Sequence, residues 1–348
     1  MKELEELRTQ IDYVDEEIVK LIAERLKLSE KIGHIKASNN LEISDYKREE
    51  SVINRWKELS RLQGVPEALS SKVIEAIIPF SRAMQVLPNE KKSVLIIGYG
   101  NMAQTIGRLV SYAGHKVMLS GVDPIETRKI ANSLSVNAVG EEEGFREAEY
   151  VIFTLPPKAY YTKYFKELLK FGKGKDVSEI SSSKTKTFPL FLELSKKFDF
   201  NYVSIHPLFG PMLLPIGEKI AIIIDNLEEV SVKKYVEFWR GCGLSPVSTH
   251  LEEHERTMAV TQSLVHFYMI ALIKAIEEAR NRLGKYDEGL TTTNFSEMKK
   301  LLQKISEILP VILEIQEENP YSHEVRLIGV RKLVEVAEAL GSRCTYSL

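Results

Sequence analysis

Apolar residues recur at helical spacing through the first part of the chain. Between Leu4 and Leu21 they alternate steps of three and four residues, and the same spacing resumes at Leu28 and reaches Ile35. This pattern predicts an amphipathic helix over residues 3–37, about 50 Å long at 1.5 Å per residue. Because a single helix of that length leaves its apolar stripe uncovered, we expect it to pair with a second copy of the chain.

Two shorter helical patterns follow, over residues 41–62 and 67–86, and residues 87–92 read as a linker. Beyond the linker, short apolar runs alternate with helical stretches, which predicts an open α/β sheet. From about residue 250 the apolar period is helical again. The predicted fold is therefore multi-domain, with an all-α N-terminal domain over residues 1–88, a Rossmann-type α/β domain over 92–250 and an all-α C-terminal domain, for dimerisation and the substrate pocket, over 251–348.

Composition narrows the classes of partner. The 348 residues carry a formal net charge of −2, which argues against nucleic acid or an acidic membrane as the main partner. Two cysteines, Cys242 and Cys344, form no disulfide framework and have no metal-ligand spacing, so no metal is expected. The charged N-terminus does not resemble a signal peptide, and no apolar run approaches the roughly 18 residues of a membrane helix. We expect a cytoplasmic protein with small-molecule partners.

A glycine-rich turn joins the first predicted strand to the next helix. Its sequence GYGNMA fits the dinucleotide-binding fingerprint, in which the first glycine allows the turn and the second lets backbone approach a pyrophosphate. The third small residue permits close helix packing, and the helix N-terminus attracts the phosphates. The predicted cofactor-binding residues lie in this turn and at neighbouring strand ends: Gly98, Tyr99, Gly100, Asn101, Met102, Ala103, Ser120, Asp123, Thr154 and Pro156.

The end of the second predicted strand leaves the cofactor as NAD or NADP. In NAD enzymes an acidic residue binds the ribose hydroxyls about twenty residues after the fingerprint. Here the strand ends in Ser120 and Gly121, and the first acid, Asp123, comes a little late. Serine and glycine leave room for a 2′-phosphate, but the nearest arginine is Arg128.

A histidine, His206, stands at the end of a later predicted strand and begins the motif HPLFGP. Carboxyl ends of strands border the ligand crevice in open α/β sheets, so this imidazole is a candidate proton acceptor. Its position alone fits a buried structural histidine equally well. The strand end SEISSSKT adds three hydroxyls that can orient the imidazole, those of Ser181, Ser182 and Ser183.

HPLFGP, the serine and lysine of ISSSK, and HERTMAVTQSLVHF resemble prephenate dehydrogenase over about residues 93–341. The resemblance implies that His206 takes up the proton of the substrate's ring hydroxyl, beside Ser182, and that His266 lies in the substrate pocket. Arg326 is the candidate for the family's substrate-binding arginine. Glu179 stands where the family often has aspartate, which leaves the choice between prephenate and arogenate open.

Arg25 interrupts the apolar stripe of the first predicted helix. Lys36 follows eleven residues later, within about 20° of the same helix face. The next two helices also carry polar residues at one-face spacings, namely Asp45, Arg48, Glu49, Ser81 and Gln85. A coiled coil that tolerates one snorkelling arginine explains the geometry equally well. Inward-facing charges are costly unless an anion or each other compensates them, and this cost favours an enclosed anion pocket.

Residues 4–85 resemble the all-helical chorismate mutases through ELR, AERLKL, IGHIK, DYKREE and SRAMQ. The resemblance implies a pericyclic rearrangement of chorismate to prephenate that needs no cofactor. Its functional positions are met by eight residues: Arg8 from the partner subunit, Arg25 and Arg48 at the carboxylates, Lys36 and Gln85 at the ether oxygen, Glu49 and the Asp45 backbone at the ring hydroxyl, and Ser81 at the carboxylate end.

These features together predict a homodimeric, bifunctional enzyme of tyrosine biosynthesis, a chorismate mutase joined to an NAD(P)-dependent prephenate dehydrogenase. Its predicted partners are chorismate and prephenate, without nucleic acid or membrane. One alternative keeps an arogenate or prephenate dehydrogenase and makes the N-terminal helices a non-catalytic dimerisation or effector-binding module. Another makes the α/β part a different reductase, for example one acting on imines or pyrrolines.

Overall fold

The computed structural model describes residues 2–39, 41, 43, 45–86, 90–285 and 287–341; Cys344 lies outside these ranges. The chain begins with three helices, α1 (Lys2–Ser38), α2 (Tyr46–Gln63) and α3 (Glu67–Ala83). The second begins five residues later than predicted, because the Asp45 side chain accepts a hydrogen bond from the Arg48 backbone N–H and caps the helix there. The third ends three residues earlier than predicted.

Helix α1 is nearly uncovered in the single chain. Only Ser29 and Gly33 are buried in it, and both lie in its C-terminal half. Helices α2 and α3 pack closely on each other, and Ile74 and Ile78 of α3 form a small core with Trp56 of α2. The predicted apolar stripe of α1 is 45–62 % exposed: Leu4, Leu7, Ile11, Val14, Ile18, Leu21, Leu28, Ile32 and Ile35. Such a stripe is what a second copy would cover, so pairing along α1 stays our prediction.

An eight-stranded sheet follows, in the order β3-β2-β1-β4-β5-β6-β7-β8, parallel except for the β6–β7 pair. Seven strands lie where the sequence predicts them, and the two-residue β3 was not predicted. The strands are β1 (Ser93–Ile97), β2 (Lys116–Ser120), β3 (Asn137–Ala138), β4 (Tyr150–Phe153), β5 (Asp176–Glu179), β6 (Asn201–Pro207), β7 (Lys219–Ile223) and β8 (Ser245–Thr249).

The sheet is buried between two apolar clusters, one against each face, as a doubly wound sheet requires. Strand order reverses between β1 and β4, which places the ligand crevice at their carboxyl ends. The connecting helices are α4 (Asn101–Tyr112), α5 (Pro124–Leu134), α6 (Glu141–Glu147), α7 (Lys163–Leu168), α8 (Thr187–Phe198) and α9 (Glu229–Gly241).

The C-terminal part is helical: α10 (Leu251–Met258), α11 (Leu264–Leu283), α12 (Thr293–Glu307), α13 (Leu309–Glu318) and α14 (Ser322–Gly341). A π-helical segment, Ala259–Ser263, makes α10 and α11 continuous. By length and composition the resulting helix, Leu251–Leu283, could cross a membrane. No such segment was expected from the sequence, because polar residues interrupt its apolar runs. Its first half is held by polar contacts instead, among them the Glu255 carboxylate with the Lys184 backbone N–H at 2.6 Å.

The end of α3 packs into the α/β part. Ala83 belongs to one of the two sheet-covering clusters, and Val86 packs against it. The Tyr112 hydroxyl of α4 contacts the Met84 sulfur at 3.2 Å, and Gly243 leaves room for Val86. The helical part and the sheet therefore share a core, and the predicted boundaries at residues 88, 92 and 250 stay a prediction.

Candidate active sites

A cluster of cations lies among the three N-terminal helices. The Arg25 guanidinium of α1 donates a hydrogen bond to the Ser81 hydroxyl of α3. Burial, and then the neighbouring charge of Arg48, lowers the pKa of Arg25 below its ordinary value. Within the described ranges no carboxylate forms an ion pair with Arg25 or Arg48. Two close cations without a counter-ion are suited to bind an anion.

Helix α1 approaches the end of α3 at Gly33. A Cβ at this position would lie 2.6 Å from the Gln85 Cα and carbonyl oxygen. The Gln85 side chain donates to the Ser81 carbonyl at 3.0 Å, and its own Oε1 is buried without a hydrogen-bond partner in the described part of the chain. Lys36 donates to the Ile43 carbonyl at 2.6 Å. The Gln85 amide therefore lies beside Ser81, the residue that Arg25 also contacts.

The remaining predicted mutase residues have different surroundings. Glu49 pairs with Arg82 at 3.3 Å, and both side chains are at most 20 % exposed. Arg82 was missed in the sequence analysis, although it lies inside the quoted motif SRAMQ. The Asp45 side chain caps α2, as described above. Arg8 is exposed and pairs with Glu5 at 2.7 Å. It lies about 25 Å from Arg25 along α1, so the single chain does not bring it to the cation cluster.

The glycine turn has the geometry of a dinucleotide site. Gly98 has a φ of +126°, and a Cβ on it would collide with the Thr154 hydroxyl, which itself donates to the Ile97 carbonyl at 3.0 Å. Gly100 is the N-cap residue of α4, and no atom lies within 4 Å of where its Cβ would be. Buried Ala103 lets α4 pack on the sheet. An open space before a helix N-terminus fits a pyrophosphate.

The other predicted cofactor residues surround this turn. The Tyr99 ring packs so close to Gly121 that a Cβ there would lie 2.7 Å from it. Asn101 is the exposed first residue of α4, and Met102 packs on the core. Pro156 precedes the 3₁₀ turn Pro157–Tyr161. Strand register explains the grouping, since Ile97 pairs with both Ser120 and Phe153 and the three strands end together.

A cavity of about 550 Å³ adjoins the end of β2. Its lining includes Ser120, Gly121, Thr127 and Arg128. Asp123, the late acid of the sequence analysis, uses its Oδ1 to accept from the backbone N–H groups of Ile125 and Glu126, at 2.9 and 3.1 Å, and so caps α5. This capping role accounts for the late position of the acid.

His206 ends β6 and is 4 % exposed. Its Nδ1 lies 3.0 Å from the Nε2 of His254 on α10. Burial, and then the electrostatic effect of the neighbouring His254 and Lys184, lowers the pKa of His206 well below 6.5, so the imidazole is neutral at neutral pH. A neutral imidazole is the form that accepts a proton.

The three serines of ISSSK do not hold the imidazole in the described structure. The Ser181 backbone N–H donates to Glu179 at 2.7 Å, and the Ser183 hydroxyl donates to Glu255 at 3.2 Å. Ser182 is half-buried between them. The partner of His206 is His254, which the sequence analysis quoted within HERTM but assigned no role. The sequence did contain a signal for His254: it lies twelve residues before His266 in a helical pattern, which places both histidines on one continuous helix.

A buried ion pair supports the ends of β5 and β6. The fully buried Lys184 donates to the Glu179 carboxylate at 2.8 Å and to the Ile205 carbonyl at 2.7 Å. Ser204 and Tyr202 donate to the same carboxylate oxygen at 2.6 and 3.2 Å. Burial opposes the charge of Glu179, but the ion pair with Lys184 prevails and lowers its pKa. Because Lys184 holds the carbonyl before His206, the pair fixes the backbone of the candidate base.

The two remaining predicted substrate residues lie on the C-terminal helices. His266 of α11 is half-buried, its pKa is lowered by burial, and its Nδ1 has no hydrogen-bond partner among the described residues. Arg326 of α14 donates to the backbone and side-chain oxygens of Gln316, both at 2.9 Å. Gln316 in turn donates to the Ser263 carbonyl at 2.6 Å. The structure thus ties Arg326 to α13 and to the π-helical segment.

Comparison with known proteins separates the chain into two matched regions. The family described as chorismate mutase type II matches residues 7–86. The chorismate mutase of Methanocaldococcus jannaschii is 33% identical over 85 residues, which cover 24% of this chain and 86% of that protein. The chain belongs to the chorismate mutase family. Its residues 93–175 match a second family, described as NADP oxidoreductase coenzyme F420-dependent.

Longer matches cover about three quarters of the chain. The T-protein of Enterobacter agglomerans is 24% identical over 277 residues, which cover 77% of this chain and 69% of that protein. The solved structure of prephenate dehydrogenase from A. aeolicus, in complex with hydroxyphenyl propionate and NAD⁺, superposes with a TM-score of 0.55 at 16% identity, over 73% of this chain and 93% of that one. The predicted fold class, a helical mutase domain before a dehydrogenase fold, is confirmed.

Proposed function

We propose that this chain is a bifunctional enzyme of tyrosine biosynthesis. It rearranges chorismate to prephenate in the N-terminal helices, then oxidises prephenate with loss of CO₂ to 4-hydroxyphenylpyruvate, using NAD(P). The observation that carries the proposal is the union, in one chain, of a chorismate mutase region and a sheet that carries its dinucleotide turn and His206 at the same edge, where the parallel strands β1, β4, β5 and β6 end. The product of the first site is the substrate of the second.

The helical site supplies positive charge and little else, which is what the first reaction needs. A pericyclic rearrangement has no proton to transfer, so the protein holds the dianion in a compact conformer and stabilises charge on the ether oxygen. Among the described residues no carboxylate pairs with Arg25 or Arg48, so both cations are available to the carboxylates of chorismate. The Gln85 amide donates to the Ser81 carbonyl beside Arg25, and its N–H is the group that would turn to the ether oxygen. Arg8 completes the site only from a partner subunit, where the exposed stripe of α1 is the expected contact.

In the second site His206 is the proton acceptor. The nicotinamide of NAD(P), when bound, supplies the hydride acceptor. The chain's own residues hold and move the proton: the ring hydroxyl of prephenate gives its proton to the neutral imidazole as the carbonyl develops. Loss of CO₂ returns an electron pair through the ring to that oxygen, which takes the proton back from His206. Aromatisation drives the step, so alignment is the main task of the protein.

The assignment extends to assembly and location. The apolar stripes of α1 and of the C-terminal helices support a homodimer, and the reactions involve soluble small molecules, which supports a cytoplasmic enzyme. We assign prephenate binding to Ser182, His266 and Arg326. We assign dinucleotide binding to residues 98–103, Ser120, Asp123, Thr154 and Pro156. Prephenate and arogenate share the ring hydroxyl assigned to His206, so the comparison of the two substrates below decides between them.

The wild-type full chain and one variant test both activities together. The purified dimer is given chorismate, and loss of chorismate is followed beside reduction of NAD⁺ or NADP⁺, with prephenate and arogenate compared as substrates for the second step. The variant His206→Asn should reduce nicotinamide turnover by about 10²-fold or more while chorismate loss continues. Each activity serves as the folding control for the other. A wild-type chain that consumes chorismate but never reduces nicotinamide would leave only the mutase half of the proposal standing.

A further inference from the structure

The two buried histidines of the dehydrogenase site form a directed pair. His206 Nδ1 and His254 Nε2 are 3.0 Å apart, and both residues are almost fully buried, with exposures of 4 % and 3 %. Their rings meet edge to face at 73°. A hydrogen bond between two neutral imidazoles needs one nitrogen with a proton and one without. The direction of this bond therefore decides which nitrogen of His206 is free to accept a proton from substrate.

Glu255 gives the pair its direction. Its Oε1 is a negatively charged neighbour 3.4 Å from the Nδ1 of His254, a buried nitrogen that forms no hydrogen bond with the described residues. The same carboxylate accepts from the Lys184 backbone N–H at 2.6 Å and from the Ser183 hydroxyl at 3.2 Å. A carboxylate only accepts hydrogen bonds, so it favours the tautomer of His254 with the proton on Nδ1.

The remaining positions follow from this tautomer. With Nδ1 protonated, the Nε2 of His254 is an acceptor, so the Nδ1 of His206 carries a proton and donates it. The Nε2 of His206 then keeps its lone pair and is the nitrogen that can accept the ring-hydroxyl proton. When it does so, the imidazolium still has an acceptor at Nδ1, which stabilises the charge during the step.

We propose that His254, held by Glu255, is a positioning residue for prephenate oxidation that fixes His206 in its proton-accepting tautomer. This inference rests on the proposed dehydrogenase function. The proton moves only between the substrate oxygen and His206 Nε2, and it returns to the same oxygen when the ring aromatises. His254 gains no proton in this scheme, and neither Ser182 nor another serine of ISSSK is needed to orient the imidazole.

Two substitutions at one position separate positioning from packing. In His254→Gln the amide oxygen can still accept from His206, whereas His254→Leu fills the space without an acceptor. We expect His254→Leu to lower kcat for prephenate about 10²-fold, with KM and the NAD(P)⁺ dissociation constant changed less than about twofold. His254→Gln should recover roughly tenfold of that loss. Cofactor dissociation is measured by quenching of protein fluorescence, independently of turnover.

A third buried histidine, His115, supplies the matched control. His115 is 7 % exposed, accepts from the Lys92 backbone N–H at 3.2 Å and stacks on Phe238, away from His206. His115→Leu also removes a buried imidazole, yet it should leave kcat for prephenate within about twofold. Chorismate turnover by each variant reports that the chain is folded, because the mutase residues contact none of these histidines in the described ranges.

The outcomes distinguish this inference from the proposed function. If the wild-type chain does not oxidise prephenate, the dehydrogenase function itself is wrong. If it does, equal kcat values for His254→Leu and His254→Gln overturn the positioning role, as does a kcat for His254→Leu within about threefold of wild type. If His254→Leu loses chorismate turnover as well, the variant Glu255→Gln provides the test. The glutamine amide of this variant can donate to His254 and so reverse the direction of the His206–His254 hydrogen bond. A kcat for prephenate lowered by less than about threefold in Glu255→Gln then overturns the inference.

Discussion

Replacing Gly33 by alanine tests how the mutase pocket is built. Gly33 is one of two buried residues of α1, and it faces the backbone of Gln85 at the end of α3. A Cβ would lie 2.6 Å from the Gln85 Cα and carbonyl oxygen, closer than real Cβ contacts. Because the opposing atoms are backbone rather than the tip of a flexible side chain, the end of α3 has to move.

The size of the movement follows from the contact distances. An ordinary contact begins at 3.4 Å, so α1 and the end of α3 must separate by roughly 0.8 Å. Alanine gains about 1 kcal/mol over glycine in a helix interior, which offsets part of the clash. A catalytic group misplaced by about 1 Å costs about 10²-fold in rate. We therefore expect kcat/KM for chorismate to fall about 10²-fold while the chain stays folded.

The assay compares Gly33→Ala with Gly341→Ala. Gly341 ends α14, and no atom lies within 4 Å of where its Cβ would be, so the same substitution there should change neither activity. Chorismate loss and prephenate oxidation are measured on each variant, and only the first should fall in Gly33→Ala. Wild-type kcat/KM for chorismate in Gly33→Ala would refute the assignment of Gln85 to the mutase pocket.

Three further predictions concern charge. Arg25→Leu should lower chorismate turnover about 10³-fold, because a cation about 4 Å from a carboxylate contributes about 4 kcal/mol. The same variant should raise the free energy of urea unfolding by about 1 kcal/mol, since a partly buried charge is removed. Replacement of an exposed arginine in Arg55→Leu is the control and should change neither quantity. Arg128→Ala should weaken NADP⁺ binding about tenfold and NAD⁺ binding less than about twofold, since Arg128 lines the cavity at the end of β2. Both dissociation constants are measured by calorimetry, and equal losses would contradict a 2′-phosphate contact at Arg128. The pKa of His206 lies well below 6.5 in the folded chain, so the unfolded chain binds the extra proton first. The free energy of unfolding should therefore fall as the pH drops below about 6.5, and it should fall less in His206→Asn. An identical fall in wild type and variant would show that other groups cause it.

Local patterns were sufficient for most of the fold. The alternation of threes and fours predicted α1 to within one residue at each end, and seven apolar runs became seven strands of one sheet. Asp45 shifted the start of α2 because its side chain caps the helix, and the two-residue β3 was too short to leave a periodic signal. The fingerprint turn kept its predicted geometry, since the φ of +126° at Gly98 is a local property of the backbone that favours glycine.

The sequence by itself also determined which chemistry the chain carries, because residue types at helix and strand ends are a local property. Only the tertiary structure decided how these residues are partnered. The approach of Gln85 to Gly33 and the Glu49–Arg82 pair are contacts between distant segments that no spacing revealed. The partner of His206 shows the same limit: the sequence offered three nearby serines, yet the fold brings in His254, 48 residues along the chain, because α10 packs across the end of β6. Periodicity records which face of an element is buried, but it holds no information on which distant element covers that face.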